Sequence, residues 1–184
     1  LLDLGYHPLD LLIWMLGMPE EVYGRAGKRS RRAEEDDPPI GDYDTDDTAA
    51  AILTFSDGAV ASMVTSRSSG PVSEELSLHG RGGSLTASPQ GCWLRDPDGK
   101  VLDQHSEDQP PGAVFQAQVE SFAQAVQDDK GSYPCSGWEN LLTMAVIEAI
   151  YLSGRTCQPE NPNRLLKSRG LSVEQCLQAQ HMNV

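Results

Sequence analysis

The sequence has no apolar run long enough to cross a bilayer. Its longest, within Leu141 to Leu152, is broken by Thr143 and Glu148 and falls short of the roughly 20 residues that a spanning helix needs. Basic charge is scarce: 14 Lys and Arg stand against 27 Asp and Glu, a formal net charge of −13. Binding to nucleic acid or an anionic membrane draws on clustered Lys and Arg, so neither is an expected partner. The one basic cluster, Arg25, Lys28, Arg29, Arg31 and Arg32, is followed at once by Glu34, Glu35, Asp36 and Asp37, and reads as a solvated strand and loop of mixed charge. The four cysteines, Cys92, Cys135, Cys157 and Cys176, are widely spaced and form no C-x-x-C pair. Reduced, mostly buried thiols in a cytoplasmic protein are expected, although the count alone also allows periplasmic disulfides. There is no initiator Met and no basic segment ahead of a short apolar stretch, so no signal peptide is expected. The chain opens abruptly inside a structured element, from which sequence preceding Leu1 is expected.

What is present suits one loop-rich globular domain with a single core: 184 residues, 39% hydrophobic, with 17 Gly and 12 Pro. The opening stretch organises it. Leu9, Leu12, Ile13 and Leu16 repeat at helical spacing and predict a core-facing stripe, with Gly17 as the stop. Pro8 fits the first helical position, which makes His7 the cap and Asp10 the third helical residue. Asp3, Tyr6 and His7 then occupy the turn leading in. A helix N-terminus disfavours positive charge, so a neutral imidazole able to take a proton from an alcohol is expected there. The same residues also have plain structural readings: His7 a polar cap, Asp10 a favourable first-turn acid, Asp3 a turn former.

Further along, Glu21 to Arg29 reads as a strand running into an acidic loop, Ala33 to Asp47. Its Asp42-x-Asp44-x-Asp46 spacing resembles a calcium loop. An EF-hand loop needs Gly at position six and Glu at position twelve, where this chain has Asp47 and Leu53, so no metal site is expected. Thr48 to Phe55 and Ala59 to Arg67 predict an antiparallel hairpin over Ser56-Asp57-Gly58. Small residues in both arms permit close approach of another layer. Glu74 to His79, Ser84 to Ala87, Cys92 to Arg95 and Lys100 to His105 continue the strands, with Gly80-Arg81-Gly82-Gly83 and Asp96-Pro97-Asp98-Gly99 as turns. The sum is about seven strands with no intervening helix. Helices close the chain. An amphipathic one begins at Val114 or Phe115 and runs to Val126; an apolar one is opened by the capping box Ser136-Gly137-Trp138-Glu139 and stopped by Gly154; a short one follows Ser172. The expected class is α+β, an open, largely antiparallel mixed sheet with helices packed on one face. His79, His105 and His181 have no partners in sequence, and Trp14, Trp93 and Trp138 read as core or interface.

Three segments carry a family resemblance. Asp3-Leu4-Gly5-Tyr6-His7-Pro8-Leu9-Asp10, trailed by Trp14 and Gly17, resembles a D-x-G-x-H-x-x-D motif; His79-Gly80-Arg81-Gly82-Gly83-Ser84-Leu85 resembles a G-x-x-G strand turn; Glu148-Ala149-Ile150-Tyr151-Leu152-Ser153 resembles an E-A-I-Y-x-S helix. Together they resemble the C-terminal domain of the Gfo/Idh/MocA family of NAD(P)-dependent oxidoreductases. The resemblance implies a substrate and oligomerisation domain over residues 1–184, whose second sheet face makes a homodimer or higher homo-oligomer. It implies hydride transfer to or from a hydroxyl-bearing carbon of a sugar, polyol or similar small molecule, with NAD or NADP held mainly by a preceding Rossmann domain. His7 would be the general acid/base, Asp3 would bond to substrate or to His7, and Tyr6 and Asp10 would line the substrate cleft. No G-x-G-x-x-G follows a strand here, and no E-K-P-type segment supplies the family's catalytic Lys. The isolated chain is therefore expected to be inactive. The alternative is a non-catalytic relative serving as sensor, scaffold or dimerisation module.

Overall fold

A computed structural model describes residues 1–28, 45–68, 70–71, 73–106, 110, 112–128, 133 and 135–182, the last four by backbone alone. Most of the acidic loop over 33–47, with Asp42 and Asp44, lies outside the described residues, as do Arg29, Arg31, Arg32 and the His181 side chain. The elements in chain order are α1 (Tyr6–Leu16), β1 (Glu21–Gly27), β2 (Thr48–Thr54), β3 (Val60–Ser66), β4 (Leu76–Gly80), β5 (Gly83–Ser88), β6 (Gly91–Arg95), β7 (Val101–His105), α2 (Ala113–Gln127), α3 (Gly137–Thr156), α4 (Pro162–Ser168) and α5 (Val173–Met182). The α+β class and the seven antiparallel strands stand as expected. They form two separately bonded sheets rather than one, β1-β2-β3 and β4-β5-β6-β7. Between β3 and β4 the chain passes Gly70 in a left-handed conformation and then Pro71, which cannot donate to a ladder. Two compact units result, Leu1–Ser69 with Asp129–Val184, and Gly70–Asp128.

All fully buried hydrophobic side chains among the described residues lie in the first unit. Period-two alternation turns Val22, Ala49, Ala51, Leu53 and Met63 inward, where they meet Leu9 of α1 and Val146, Ile147, Ala149 and Ile150 of α3. Helix α3 approaches the sheet closely at Gly24. A Cβ there would stand 2.8 Å from the Ala50 carbonyl oxygen and 2.9 Å from both Ala51 Cβ and Ile150 Cγ2. Glycine therefore lets α3 lie directly on β1. The Gly24 N–H, pointing away from β2, donates to the buried Ser153 Oγ at 3.1 Å. Val22 exchanges backbone bonds of 2.8 and 2.9 Å with Glu160, so the open edge of β1 is covered.

Helix ends differ from expectation in two places. α1 begins at Tyr6 with Gly5 at its cap, because the chain has already turned: Gly5 N–H bonds to the Leu1 carbonyl at 2.8 Å, and Leu9 N–H to that of Gly5 at 3.2 Å. His7 is consequently the second helical residue, not the cap. Asp10 is the fifth rather than the third. Pro8 is third, where its missing N–H still has no intrahelical partner. The Ser136–Glu139 capping box forms in both directions, but α3 continues through Gly154 to Thr156 and ends at left-handed Cys157. Gly154 rests in ordinary contact, 3.4 Å from an added Cβ to the Gly24 carbonyl oxygen. Packing on β1 keeps it helical despite a cost of about 1 kcal/mol for interior glycine. Helix α4 was not foreseen, although its signal is present: Asn161 Oδ1 accepts from Asn163 N–H at 2.9 Å ahead of Pro162 at the first position.

The second unit is a four-stranded meander with α2. Gly83, at φ +136°, leaves room for the Arg95 carbonyl, which a Cβ would meet at 1.9 Å. The Gly80–Gly83 segment is thus a strand-connecting turn, as expected. No helix among the described residues is long and apolar enough to cross a membrane. All four thiols are free, but Cys135 and Cys157 are exposed, contrary to the expectation of mostly buried cysteines, because they flank the ends of α3 instead of lying within it. Trp14 is 81% exposed, which removes it from the core.

The tight seat at Gly24 gives the first prediction. Gly24→Ala should lower stability by about 1–3 kcal/mol through overpacking, whereas Gly27→Ala, with no atom within 4 Å of its added Cβ, should change little. Urea midpoints compare the two; equal effects would mean that the close approach carries no weight.

Candidate functional site

The site is built on the turn from Leu1 to Gly5 and the first two turns of α1. The apolar stripe of α1 is buried at Leu9 and Leu12, with Ile13 and Leu16 packed beside them. That burial fixes the helix and leaves Asp3 and His7 exposed. Asp3 Oδ2 pairs with the Arg67 guanidinium just beyond β3, both groups being largely in solvent. Such an exposed pair is worth at most about 1 kcal/mol, so it can open readily.

Tyr6 and Asp10 face the other way. The Tyr6 hydroxyl donates to Asn140 Oδ1, and Thr143 Oγ1 donates to Asp10 Oδ1 at 2.8 Å. Thr143 is fully buried. Burial pushes the Tyr6 phenol above its ordinary range, and the nearby Asp10 carboxylate pushes in the same direction. The Tyr6 ring stands edge-on to the His7 imidazole, with centroids 5.9 Å apart and an interplanar angle of 86°.

A pocket of about 610 Å³ lies beside the opening turn, bounded by Leu2, Asp3, Lys28, Asp46, Arg67 and Tyr151 among others. Asp3 borders it and His7 does not. The structure thus joins Tyr6 to His7 and Asp3 to Arg67, while the polar atoms of Tyr6 and Asp10 are engaged by α3. At the pocket wall the Tyr151 hydroxyl donates to Asp46 Oδ1 at 2.6 Å, and the Leu1 nitrogen bonds to the same carboxylate. Burial, then the Asp46 carboxylate, push Tyr151 up to about 12. Among the described residues no three His, Cys, Asp or Glu side chains are grouped as metal ligands.

Sequence reasoning did not single out Arg67, Asp46, Asn140, Thr143 or Tyr151 as parts of this site. Two carried a signal: Asn140 and Thr143 interrupt the apolar run near the start of α3, as Glu148 and Ser153 do further along it. Asp46 was one acid among many in a solvated loop, and nothing in sequence joins it to a tyrosine 105 positions away.

The sequence profile of the GFO/IDH/MocA C-terminal domain matches residues 1–86. No curated protein matches the chain in sequence. Solved structures of similar fold include an oxidoreductase from Agrobacterium radiobacter in complex with NAD+, L-tartaric acid and magnesium, at 21% identity and TM-score 0.67, covering 89% of this chain and 49% of that one. A UDP-N-acetylglucosamine 3-dehydrogenase from Acidithiobacillus ferrooxidans is similar at 18% identity and TM-score 0.64, covering 84% and 46%. Levoglucosan dehydrogenase in complex with NADH is similar at 16% identity and TM-score 0.69, covering 86% and 49%. The chain spans about half the length of each.

The Tyr151–Asp46 contact has a pH signature. An unfolded phenol ionises near 10.0 and the folded one near 12, so the stabilisation is whole below pH 10 and is lost as pH rises through about 12. Tyr151→Phe should abolish that part of the alkaline loss of stability and remove the phenolate absorbance that appears last in a titration. An unaltered titration would mean that Tyr151 ionises like an exposed tyrosine.

Proposed function

We propose, from the match of residues 1–86 to the GFO/IDH/MocA C-terminal domain and the fold shared over 89% of the chain with solved oxidoreductases, that the chain is the C-terminal half of a nicotinamide-dependent oxidoreductase acting at a hydroxyl-bearing carbon of a sugar, polyol or similar small molecule. The observation that carries this reading is the pair of exposed titratable groups, Asp3 and His7, on an opening turn and helix whose apolar side is buried. Groups on a rigid element hold the geometry that proton transfer demands.

The described residues do not fit the dinucleotide itself. Pyrophosphate binding of the Rossmann kind uses a glycine-rich turn between a strand and a helix N-terminus, and the glycine turn here joins two strands. We therefore assign most of the NAD or NADP site to a separate dinucleotide-binding domain, in keeping with similar structures about twice as long. The isolated chain should be inactive. A nicotinamide held by that domain would supply the hydride chemistry. The residues of this chain handle the hydroxyl: His7 takes or returns its proton, and Asp3, released from Arg67, accepts a hydrogen bond that orients it. A cytoplasmic setting is supported by the four free thiols.

In a chain that also carries the dinucleotide-binding domain, His7→Ala should lower turnover roughly 10²-fold or more while thermal unfolding is preserved. Unchanged turnover would remove His7 from the chemistry and favour the alternative, a sensor, scaffold or dimerisation module.

Self-association through the outward face of the first sheet belongs to the same proposal. Tyr23, Ile52, Val60 and Val64 are 50%, 50%, 68% and 76% exposed there, and the register sets Tyr23 and Ile52 opposite each other. Contiguous apolar surface of this kind favours burial against a second copy. Sedimentation should find dimers or larger species, and Ile52→Lys with Val64→Glu should dissociate them. A monomer at high concentration before substitution would count against this interface.

A further inference from the structure

We propose that Asn140 and Thr143 of α3 are positioning residues that set the orientation of the His7 imidazole by anchoring Tyr6 and Asp10 of α1. The proposal rests on the reading that His7 acts on the substrate hydroxyl. It extends that reading to residues that touch no reactant.

The geometry works as two rungs. Tyr6 and Asp10 are four residues apart and share one side of α1; Asn140 and Thr143 are three apart and share one side of α3. One rung joins Tyr6 to Asn140, the other joins Asp10 to Thr143. Slipping or rotating α1 by a single residue would break both at once. Apolar packing at Leu9 and Leu12 resists separation of α1 from the core, but dispersion contacts are weakly directional, and it is the hydrogen bonds that select the angle.

The direction of the first rung is also determined. Asn140 Nδ2 donates to the Ser136 carbonyl at 2.6 Å, which leaves Oδ1 turned toward Tyr6 as an acceptor. The opposite amide orientation would set two oxygens against each other at Ser136. Tyr6 must then donate, and its raised phenol pKa keeps the proton in place. With the hydroxyl held at α3, the Tyr6 ring presents a fixed wall to the edge-on His7 imidazole. A buried valine in place of Thr143 would pack as well and lose the bond to Asp10. Directional fixing explains why the helix carries a hydroxyl at that buried position.

The test follows the His7 imidazole C–H resonance by NMR in this chain. Tyr6→Phe retains the ring and removes the hydroxyl; Asn140→Ala removes the acceptor. Both should move the His7 resonance in the same way and weaken the Tyr6–His7 cross-peak, the double variant should add nothing further, and the Leu9 and Leu12 methyl resonances should stay in place. Thr143→Val, nearly isosteric, removes the bond to Asp10 and the Thr143 interaction with the Tyr6 hydroxyl, and should also displace the His7 resonance. An unmoved His7 resonance in Tyr6→Phe and Thr143→Val, both folded, overturns the proposal. In the longer enzyme Asn140→Ala should lower kcat roughly 10-fold with KM nearly unchanged; loss of thermal stability with kcat intact would show a purely structural role and also overturn it. Turnover of His7→Ala bears on the catalytic reading alone, and the NMR series bears on positioning alone.

Discussion

The first unit depends on one close contact, the seating of α3 across β1 at Gly24. Without a side chain at that position the helix backbone comes within reach of the strand, and Ser153 can accept the Gly24 N–H that faces away from the sheet. Two problems are met together. The edge of β1 has its donors satisfied instead of open to another strand. The apolar face of α3 also covers Val22, Ala51 and their neighbours closely enough to exclude water, which is the source of most of the stability. Ile150 touches the spot directly, so the cost of a larger residue at Gly24 is shared between strand and helix.

From that seat α3 acts as the reference for everything attached to it. One of its sides is apolar and faces the sheet, while Asn140 and Thr143, near its start, reach α1 with hydrogen bonds, and Tyr151, near its end, reaches Asp46. The opening turn is thereby tied at several points to a helix that cannot itself shift without opening the core. The His7 imidazole on this support keeps its solvent access while standing edge-on to the anchored Tyr6 ring. For a group proposed to exchange a proton with a hydroxyl, that combination is what matters, since proton transfer needs hydrogen-bond distance and alignment together.

The charge balance acts at a different level. A net charge of −13 disfavours non-specific attraction to polyanions, and three acids around the opening turn and α1 are held by specific donors: Asp3 by Arg67, Asp10 by Thr143 and Asp46 by Tyr151. The exposed Asp3 pair is weak enough to exchange partners. The Asp46–Tyr151 contact is partly withdrawn from water, and burial and the carboxylate together raise the phenol.

By itself the sequence determined most of the elements, because their signals are local. The Leu9–Leu12–Ile13–Leu16 stripe, the turns at Ser56–Gly58 and Asp96–Gly99 and the capping box at Ser136–Glu139 are set by periodicity and by the conformations and hydrogen bonds that neighbouring residues allow. Asp3 and His7 drew attention for the same local reason, an acid and an imidazole close together at the start of an apolar helix. The Asn161-Pro162 start of α4 was equally local and was passed over. What only the tertiary structure decided depends on residues far apart in the chain: the division of seven strands into two sheets, the cap of α1 moved to Gly5 by the fold of the opening turn, the continuation of α3 past Gly154, and the partners of Tyr6, Asp10 and Tyr151. Hydrogen bonds across more than a hundred positions leave no periodic trace. They form because the Gly24 contact brings α3 to the sheet, and a single glycine in a strand does not announce which helix will use it.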